Sequence, residues 1–404
     1  MILLIKVEKH LIKKNNPFFN LIDNFCFNSK NLYNAANYIV RQVFINDGKW
    51  VRYQALDKAL KQDMEHGDYR NMPSAQAAQQ TLRLLDKNWT SFFKAIKAYK
   101  RNPESFSGRP KLPKYKEKTG RNILILTNQV CKLKDGIIHF PKTFNGFTLE
   151  TKVSNLNQVR FLPRGHSISV EIVYEVEDVP LVADNERYYS IDIGLDNLLT
   201  VVNNFGEQPF VIDGKGLKSM NQYYNKKRAF LASIAKKING KNTTKQIKSF
   251  TSKRNRRVED YMHKASRLLI NQAVKDNVSK IIVGLNKDFK REINIGKVNN
   301  QKFVMIPFDS LIRKIQYKAA EVGIEVILTE ESYTSGTSFL DGELPIRENY
   351  NKKRRKHRGL FVSNSGIKIN ADVNGAYQIL KKVFPNAFGN GIEGVGLHPV
   401  VLTV

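Results

Sequence analysis

The stretch Tyr188-Tyr189-Ser190-Ile191-Asp192-Ile193-Gly194-Leu195-Asp196-Asn197-Leu198-Leu199-Thr200-Val201-Val202 constrains this chain more than any other. It reads as a strand, a tight turn and a second strand: β-branched and apolar residues lead up to Asp192, Gly194 and Asn197 supply turn-tolerant backbone, and the apolar run resumes. A carboxylate therefore sits inside an otherwise apolar strand. Burying an unpaired carboxylate is costly, so Asp192 is expected to be paired, to cap the turn through backbone N–H groups, or to hold a cation.

The elements downstream of this strand pair set the fold class. Pro209 to Ile212 makes a third strand, and helical periodicity then runs from Tyr223 to Ile238, ending at Gly240. A helix from Tyr261 to about Asn277 leads into Val278-Ser279-Lys280-Ile281-Ile282-Val283-Gly284, apolar enough for a buried parallel strand. A helix over roughly Pro307 to Val322 precedes a strand from Gly323 to Glu331, and Lys368 to Leu380 opens a last helix with Asp372 near its first turn. The order strand-strand-strand-helix-strand-helix-strand-helix predicts an RNase H-like sheet, whose functional groups belong at the carboxyl ends of its parallel strands. An Asp-x-Gly turn also occurs beside nucleotide phosphates in actin-like sugar kinases. That reading needs a second Gly-rich phosphate loop in the later half, and the sequence has none.

Upstream, residues 1–13 read as a strand. From Phe18 to Lys100 the apolar residues recur at three- and four-residue steps, and Met72-Pro73-Ser74 opens a helix whose stripe from Ala77 through Trp89 to Ile96 predicts a bundle core. Short alternating strands punctuated by Gly and Asn fill residues 122–178, so a small antiparallel β-barrel is expected, completed by the first strand and interrupted by the helices.

Charge narrows the partners. The chain has 404 residues, with 66 Lys and Arg against 37 Asp and Glu, a formal net charge of +29. Such an excess points to a long polyanion, because each neutralised phosphate releases counterion. From Gly214 to Val258 no acidic residue occurs, while fourteen cations do, including Lys226, Lys227, Arg228, Lys253, Arg254, Arg256 and Arg257. A solvated helical face normally mixes both signs. Arg109, Lys111, Lys114, Tyr115 and Lys116 form a second candidate, an extended basic segment that Pro110 and Pro113 keep from being helical. No apolar run approaches a membrane span, so a soluble cytoplasmic, nucleoid-associated protein with no membrane partner is expected. The two cysteines, Cys26 and Cys131, are not in ligand spacing, so no zinc is expected.

Asp192, the pair Glu330 and Glu331, and Asp372 are thus separated carboxylates at strand ends and a helix start. Mg²⁺, or Mn²⁺ in its place, takes such oxygen ligands, and two ions about 4 Å apart stabilise the attacking and leaving oxygens of a phosphodiester. Alternation puts Thr329 and Glu331 on one face and Leu328 with Glu330 on the other, so Glu331 is the preferred ligand. Asp288 and Glu292 are outlying candidates.

Ser190-Ile191-Asp192-Ile193-Gly194-Leu195, Tyr333-Thr334-Ser335 and Asn370-Ala371-Asp372-Val373-Asn374-Gly375-Ala376 resemble the split RuvC nuclease motifs of the TnpB (OrfB) family, transposon-encoded proteins related to type V CRISPR effectors. The resemblance implies a mixed α/β and β fold: a wedge-like β-barrel from 1–14 and 120–185, a helical recognition insertion over 15–119, and a RuvC-like nuclease domain over 186–404. Within the last it implies a basic helical insertion at 214–260 and a segment at 336–367 in place of the family's cysteine zinc ribbon. The implied activity is RNA-guided, Mg-dependent DNA cleavage beside a short transposon-adjacent motif. The implied partners are a guide RNA from the transposon end and double-stranded target DNA, with a monomer favoured. The implied catalytic residues are Asp192 and Asp372, with Glu331 or Glu330 standing in for a glutamate that the family usually carries where this chain has Gly284. The alternative is a nuclease-inactive, RNA-guided DNA-binding repressor.

Overall fold

The computed structural model describes residues 3–63, 67–177, 179–285, 305–357, 359–388 and 396–404. The chain divides into two compact units, Met1–Glu177 and Asp178–Val404. Among the described residues no helix is long and apolar enough to cross a membrane.

In the first unit, β1 (Leu3–Lys13) runs antiparallel to β7 (Ser167–Glu177) along its whole length, from Leu3 opposite Glu177 to Lys13 opposite Ser167. β6 (Leu156–Pro163) and β2 (Leu124–Thr127) complete a four-stranded sheet in the order β1-β7-β6-β2. A separate meander is made by β3 (Lys132–Lys134), β4 (Ile137–His139) and β5 (Thr148–Glu150). The strands thus form two hydrogen-bonded sheets; among the described residues the ladder does not close into the expected barrel, because β1 and β2 remain edges. Three helices intervene between β1 and its sheet partners: α1 (Phe19–Asp47), α2 (Tyr53–Gln62) and α3 (Ala75–Arg101). Ser74 caps α3 by accepting from the Ala77 N–H at 3.1 Å. The apolar stripe of α3 is buried against α1, with Trp89 wholly enclosed and its indole N–H donating to Asn37 Oδ1 at 3.0 Å.

The second unit is built on one six-stranded sheet. Its strands are β8 (Tyr188–Ile193), β9 (Asn197–Asn203), β10 (Phe210–Asp213), β11 (Lys280–Gly284), β12 (Glu325–Thr329) and β16 (Val400–Leu402). Their order is β12-β11-β8-β9-β10-β16, with β8, β11 and β12 parallel and β9 antiparallel to both neighbours. The edge strand β16 lies parallel to β10 and was not evident in the sequence, where three residues carry no usable period.

Alternation along β8 divides the core. Tyr189, Ile191 and Ile193 pack with Ile281 and Val283 against α5 (Lys245–Lys275) and α6 (Phe308–Ala320). Tyr188 and Ile282 face the other way, onto Ile379 and Leu380 of α7 (Ala371–Val383). Asp192 shares the parity of Tyr188, so it points toward α7.

α4 (Lys215–Asn239) and α5 form a long helical pair. The second helix begins far earlier than its apolar period suggests. Thr244 caps it by accepting from Ile247 N–H at 3.2 Å, and Phe250 stacks on Tyr224 of α4 with ring centroids 5.4 Å apart. A cap and the contacts of Phe250 with Tyr223 and Tyr224 therefore extend a helix whose early turns carry cations and no acidic residue.

Candidate active site

At the carboxyl ends of β8 and β12 the chain opens a cleft of about 860 Å³ lined by Asp192, Asn197, Thr200, Glu331, Arg355 and Asp372, among others. Several elements supply its groups. β8 delivers Asp192, opposite Thr200 of β9. α7 delivers Asp372 in its first turn, where Asn370 caps the helix by accepting from the Asp372 and Val373 N–H groups at 2.9 and 3.2 Å. A carboxylate there also meets the positive end of the helix dipole. Gly375 lets α7 lie this close, since a Cβ on it would stand 3.1 Å from Asp192 Oδ2.

The third carboxylate arrives from the strand beside β11. Gly284 and Thr329 are partners in the parallel β11–β12 register, and the chain continues past Thr329 to Glu331. A Cβ on Gly284 would collide with Ile379 Cδ1 and would stand 3.1 Å from Glu331 Oε2. The Glu331 carboxylate therefore occupies the space into which a side chain at 284 would project. Glu330 does not enter the cleft. It is exposed and 4.0 Å from Lys382, because it has the opposite parity at the strand end. Asp288 and Glu292 lie outside the described residues.

Crowding these groups has an electrostatic signature. Burial, then the nearby Glu331 and Asp372 carboxylates, push the pKa of Asp192 well above its ordinary value, with Arg355 acting in the opposite sense. Burial raises Glu331 to about 7. Asp372 is differently placed: Arg355 Nη2 donates to its Oδ1 at 3.0 Å and Asn197 Nδ2 to its Oδ2 at 2.8 Å. As a donor set, three carboxylates around one cleft suit a hard divalent cation, and the raised pKa values report the burial of Asp192 and Glu331 and, for Asp192, its carboxylate neighbours as well. Among the described residues, however, no group of three His, Cys, Asp or Glu side chains stands ready to hold a metal ion.

Arg355 and Asn197 were not singled out as site residues by sequence. Asn197 reads as a turn residue, and Arg355 lies in the cationic run Lys352-Lys353-Arg354-Arg355-Lys356-His357-Arg358, where nothing local distinguishes one cation from the next. The turn after Glu331 is closed by the Thr334 hydroxyl donating to Glu331 O at 2.7 Å, with Tyr333 in the left-handed region at φ 67°. That conformation is rare for a bulky residue.

The two basic candidates differ in how much of their charge is free. On α4 and α5, Lys226, Lys227, Arg228, Lys253, Arg256 and Arg257 are exposed. Arg254 is not a free surface cation: its guanidinium donates to Asn221 Oδ1 and to Met305 O at 2.8 Å, an internal brace made because the side chain is partly desolvated between helices. Residues 109–116 are extended and laid along α1. Asn34 Nδ2 donates to Lys116 O and Asn34 Oδ1 accepts from Lys116 N–H, at 3.0 and 2.8 Å, and Asn37 donates to Pro113 O at 3.1 Å. Arg109, Lys111 and Lys114 project into solvent, whereas Lys116 sits over the Tyr33 ring and Tyr115 under Arg41.

Known proteins share this architecture. The structure of the Cas12f1–sgRNA–target DNA complex aligns with a TM-score of 0.57 at 15% identity, covering 89% of this chain and 82% of that one. The class is thus a mixed α/β protein of TnpB/Cas12-like architecture. The family model described as a probable transposase, OrfB_IS605, matches residues 171–290, and that of the Cas12f1-like TNB domain matches residues 308–379. TnpB-like protein MJ0751 of Methanocaldococcus jannaschii is 29% identical over 183 residues, 42% of this chain and 59% of that relative's length. By these matches the chain is similar to TnpB-family proteins and to the type V effectors.

Proposed function

We propose that this protein is an RNA-guided DNA endonuclease of an insertion-sequence transposon, with a RuvC-like catalytic domain whose glutamate has moved from the end of β11 to residue 331. The observation that carries the reading is the position of Glu331 Oε2, 3.1 Å from where a side chain at 284 would begin. Asp192, Glu331 and Asp372 would hold the divalent cation, Mg²⁺ or Mn²⁺. When bound, it supplies charge stabilisation to a phosphodiester under attack by water and lowers the pKa of that water. The chain's own groups prepare this. Asp192 and Glu331 gather negative charge that a cation relieves, and Asn197 orients Asp372. Arg355 brings a guanidinium to the same cleft, where it can fork onto a phosphate oxygen once released from Asp372. The exposed cations of α4 and α5, together with Arg109, Lys111 and Lys114, would grip guide RNA and target DNA through the backbone.

A second reading, an RNA-guided DNA-binding repressor without nuclease activity, draws on Gly284 and on the engagement of both Asp372 oxygens. One experiment separates them. The protein is purified with its RNA, that RNA is sequenced, and matching DNA carrying candidate adjacent motifs is incubated with Mg²⁺. Cleavage abolished by chelation supports the nuclease; tight sequence-matched binding without cleavage supports the repressor.

A further inference from the structure

Residues 336–367 contain no cysteine, yet they fold around a single centre. Arg354 is buried, at 8% exposure. Its Nη1 donates to Glu343 Oε1 at 2.6 Å and its Nη2 to Glu343 Oε2 at 2.8 Å, a bidentate fork. Nη2 also donates to Gly336 O at 3.1 Å and Asn349 O at 2.7 Å, and Nη1 to Asn364 Oδ1 at 3.3 Å. Glu343 in turn accepts from Ser338 N–H at 2.8 Å. Of the three guanidinium nitrogens, Nε alone lacks a partner among the described residues. One guanidinium thus gathers loops from positions 336 to 364, the task a structural ion performs in a small irregular segment.

The same segment is tied to α7. Asn374 Nδ2 donates to Thr337 O at 2.8 Å, Asn374 Oδ1 accepts from Phe339 N–H at 3.0 Å, and Gln378 donates to Glu343 O at 3.2 Å. The residue after Arg354 opens β13 (Arg355–His357), pairs with Phe361 of β14 (Leu360–Val362) and reaches Asp372. Two adjacent arginines therefore point to opposite duties. We propose that Arg354 and Glu343 form a metal-free clamp that holds residues 336–367 in place and thereby positions Arg355 at Asp372. Arg355's use in catalysis rests on the nuclease reading; the clamp itself does not. Lysine is not an adequate replacement at 354, since a single ammonium cannot reproduce the fork and reach both carbonyls.

The test uses the full chain with its co-purified RNA and the variants Arg354→Lys, Arg354→Met, Arg355→Ala and the double variant Arg354→Met/Arg355→Ala. Hydrogen exchange is read over 336–367 and, as a folding control, over β8, β9 and β11. Both Arg354 variants are expected to lose protection in 336–367 while the sheet keeps it, and a zinc chelator is expected to leave wild-type protection unchanged. In cleavage, Arg354→Met is expected to approach the Arg355→Ala rate, with DNA affinity within about twofold of wild type, and the double variant to be no slower than Arg355→Ala alone. Wild-type exchange in both Arg354 variants overturns the clamp, as does loss of protection on chelation. Multiplying defects in the double variant overturn the positioning role. If wild type does not cleave, the nuclease reading is lost, and exchange alone decides the clamp.

Discussion

The carboxylate cleft and the α4–α5 pair each concentrate charge of one sign, and they do so in opposite surroundings. In the cleft, Asp192 and Glu331 are buried beside a partly exposed Asp372, and the pKa values of Asp192 and Glu331 rise. On α4 and α5, Lys226, Lys227 and Arg228 stand in solvent. Two like charges 4 Å apart repel by about 1 kcal/mol in water but about 4 kcal/mol at the effective dielectric of a protein surface. Crowded charge in the cleft thus opposes the fold until something cationic answers it. Exposed charge on the helices costs little and reaches a polyanion at a distance, subject to salt.

This contrast predicts opposite signatures for neutralising each region. The largest effect is expected from Asp192→Asn and Asp372→Asn, each lowering Mg²⁺-dependent cleavage by about 10³-fold or more, from the several kcal/mol a metal site supplies. RNA affinity should not change, and metal-free Asp192→Asn should melt no lower than wild type. Normal cleavage by either variant removes that carboxylate from the site and breaks the comparison.

Next in size is the pair Glu331→Gln and Glu330→Gln. The first is expected to cost about 10²-fold in cleavage and the second less than about threefold, because only Glu331 enters the cleft. Restoring a carboxylate at 284 in the Glu331→Gln background is expected to recover activity only when Ile379 is also trimmed to Ala, since Ile379 fills that space. Equal defects at 330 and 331 would contradict the parity argument.

Replacing Lys226, Lys227 and Arg228 together by Ala should leave the melting temperature nearly unchanged and make the salt dependence of RNA binding shallower by roughly two to three in slope. An unaltered slope would reduce α4 to a solvated surface.

The smallest effect is a pH dependence of stability without divalent cation. Glu331 has a folded pKa of about 7 against an ordinary 4.5, so the folded chain binds the extra proton between those values. Its stabilising contribution is full below the unfolded pKa and is lost as pH rises through about 7, and Asp192 shifts in the same direction. The metal-free melting temperature should therefore fall as pH rises through neutrality, and Glu331→Gln should flatten that fall. A melting temperature that rises over the same range would mean that Glu331 is not buried in the cleft.

Local pattern was sufficient wherever one strand or helix decides the outcome. The carboxylate inside the apolar run Tyr188 to Ile193 singled out Asp192, the parity of Thr329 and Glu331 distinguished Glu331 from Glu330, and the helical run opening at Lys368 put Asp372 near a first turn. Pairing between distant segments was not legible. The edge strand β16 needs β10 beside it, and the strands of the first unit alternate equally well as a closed barrel or as the two sheets observed. Nor could the sequence separate Arg354 from Arg355, or Arg254 from the cations around it. Periodicity encodes which face a side chain takes. Which of several identical cations loses its water, and to which carboxylate or carbonyl, is decided only when remote loops close around it, as they do around Arg354.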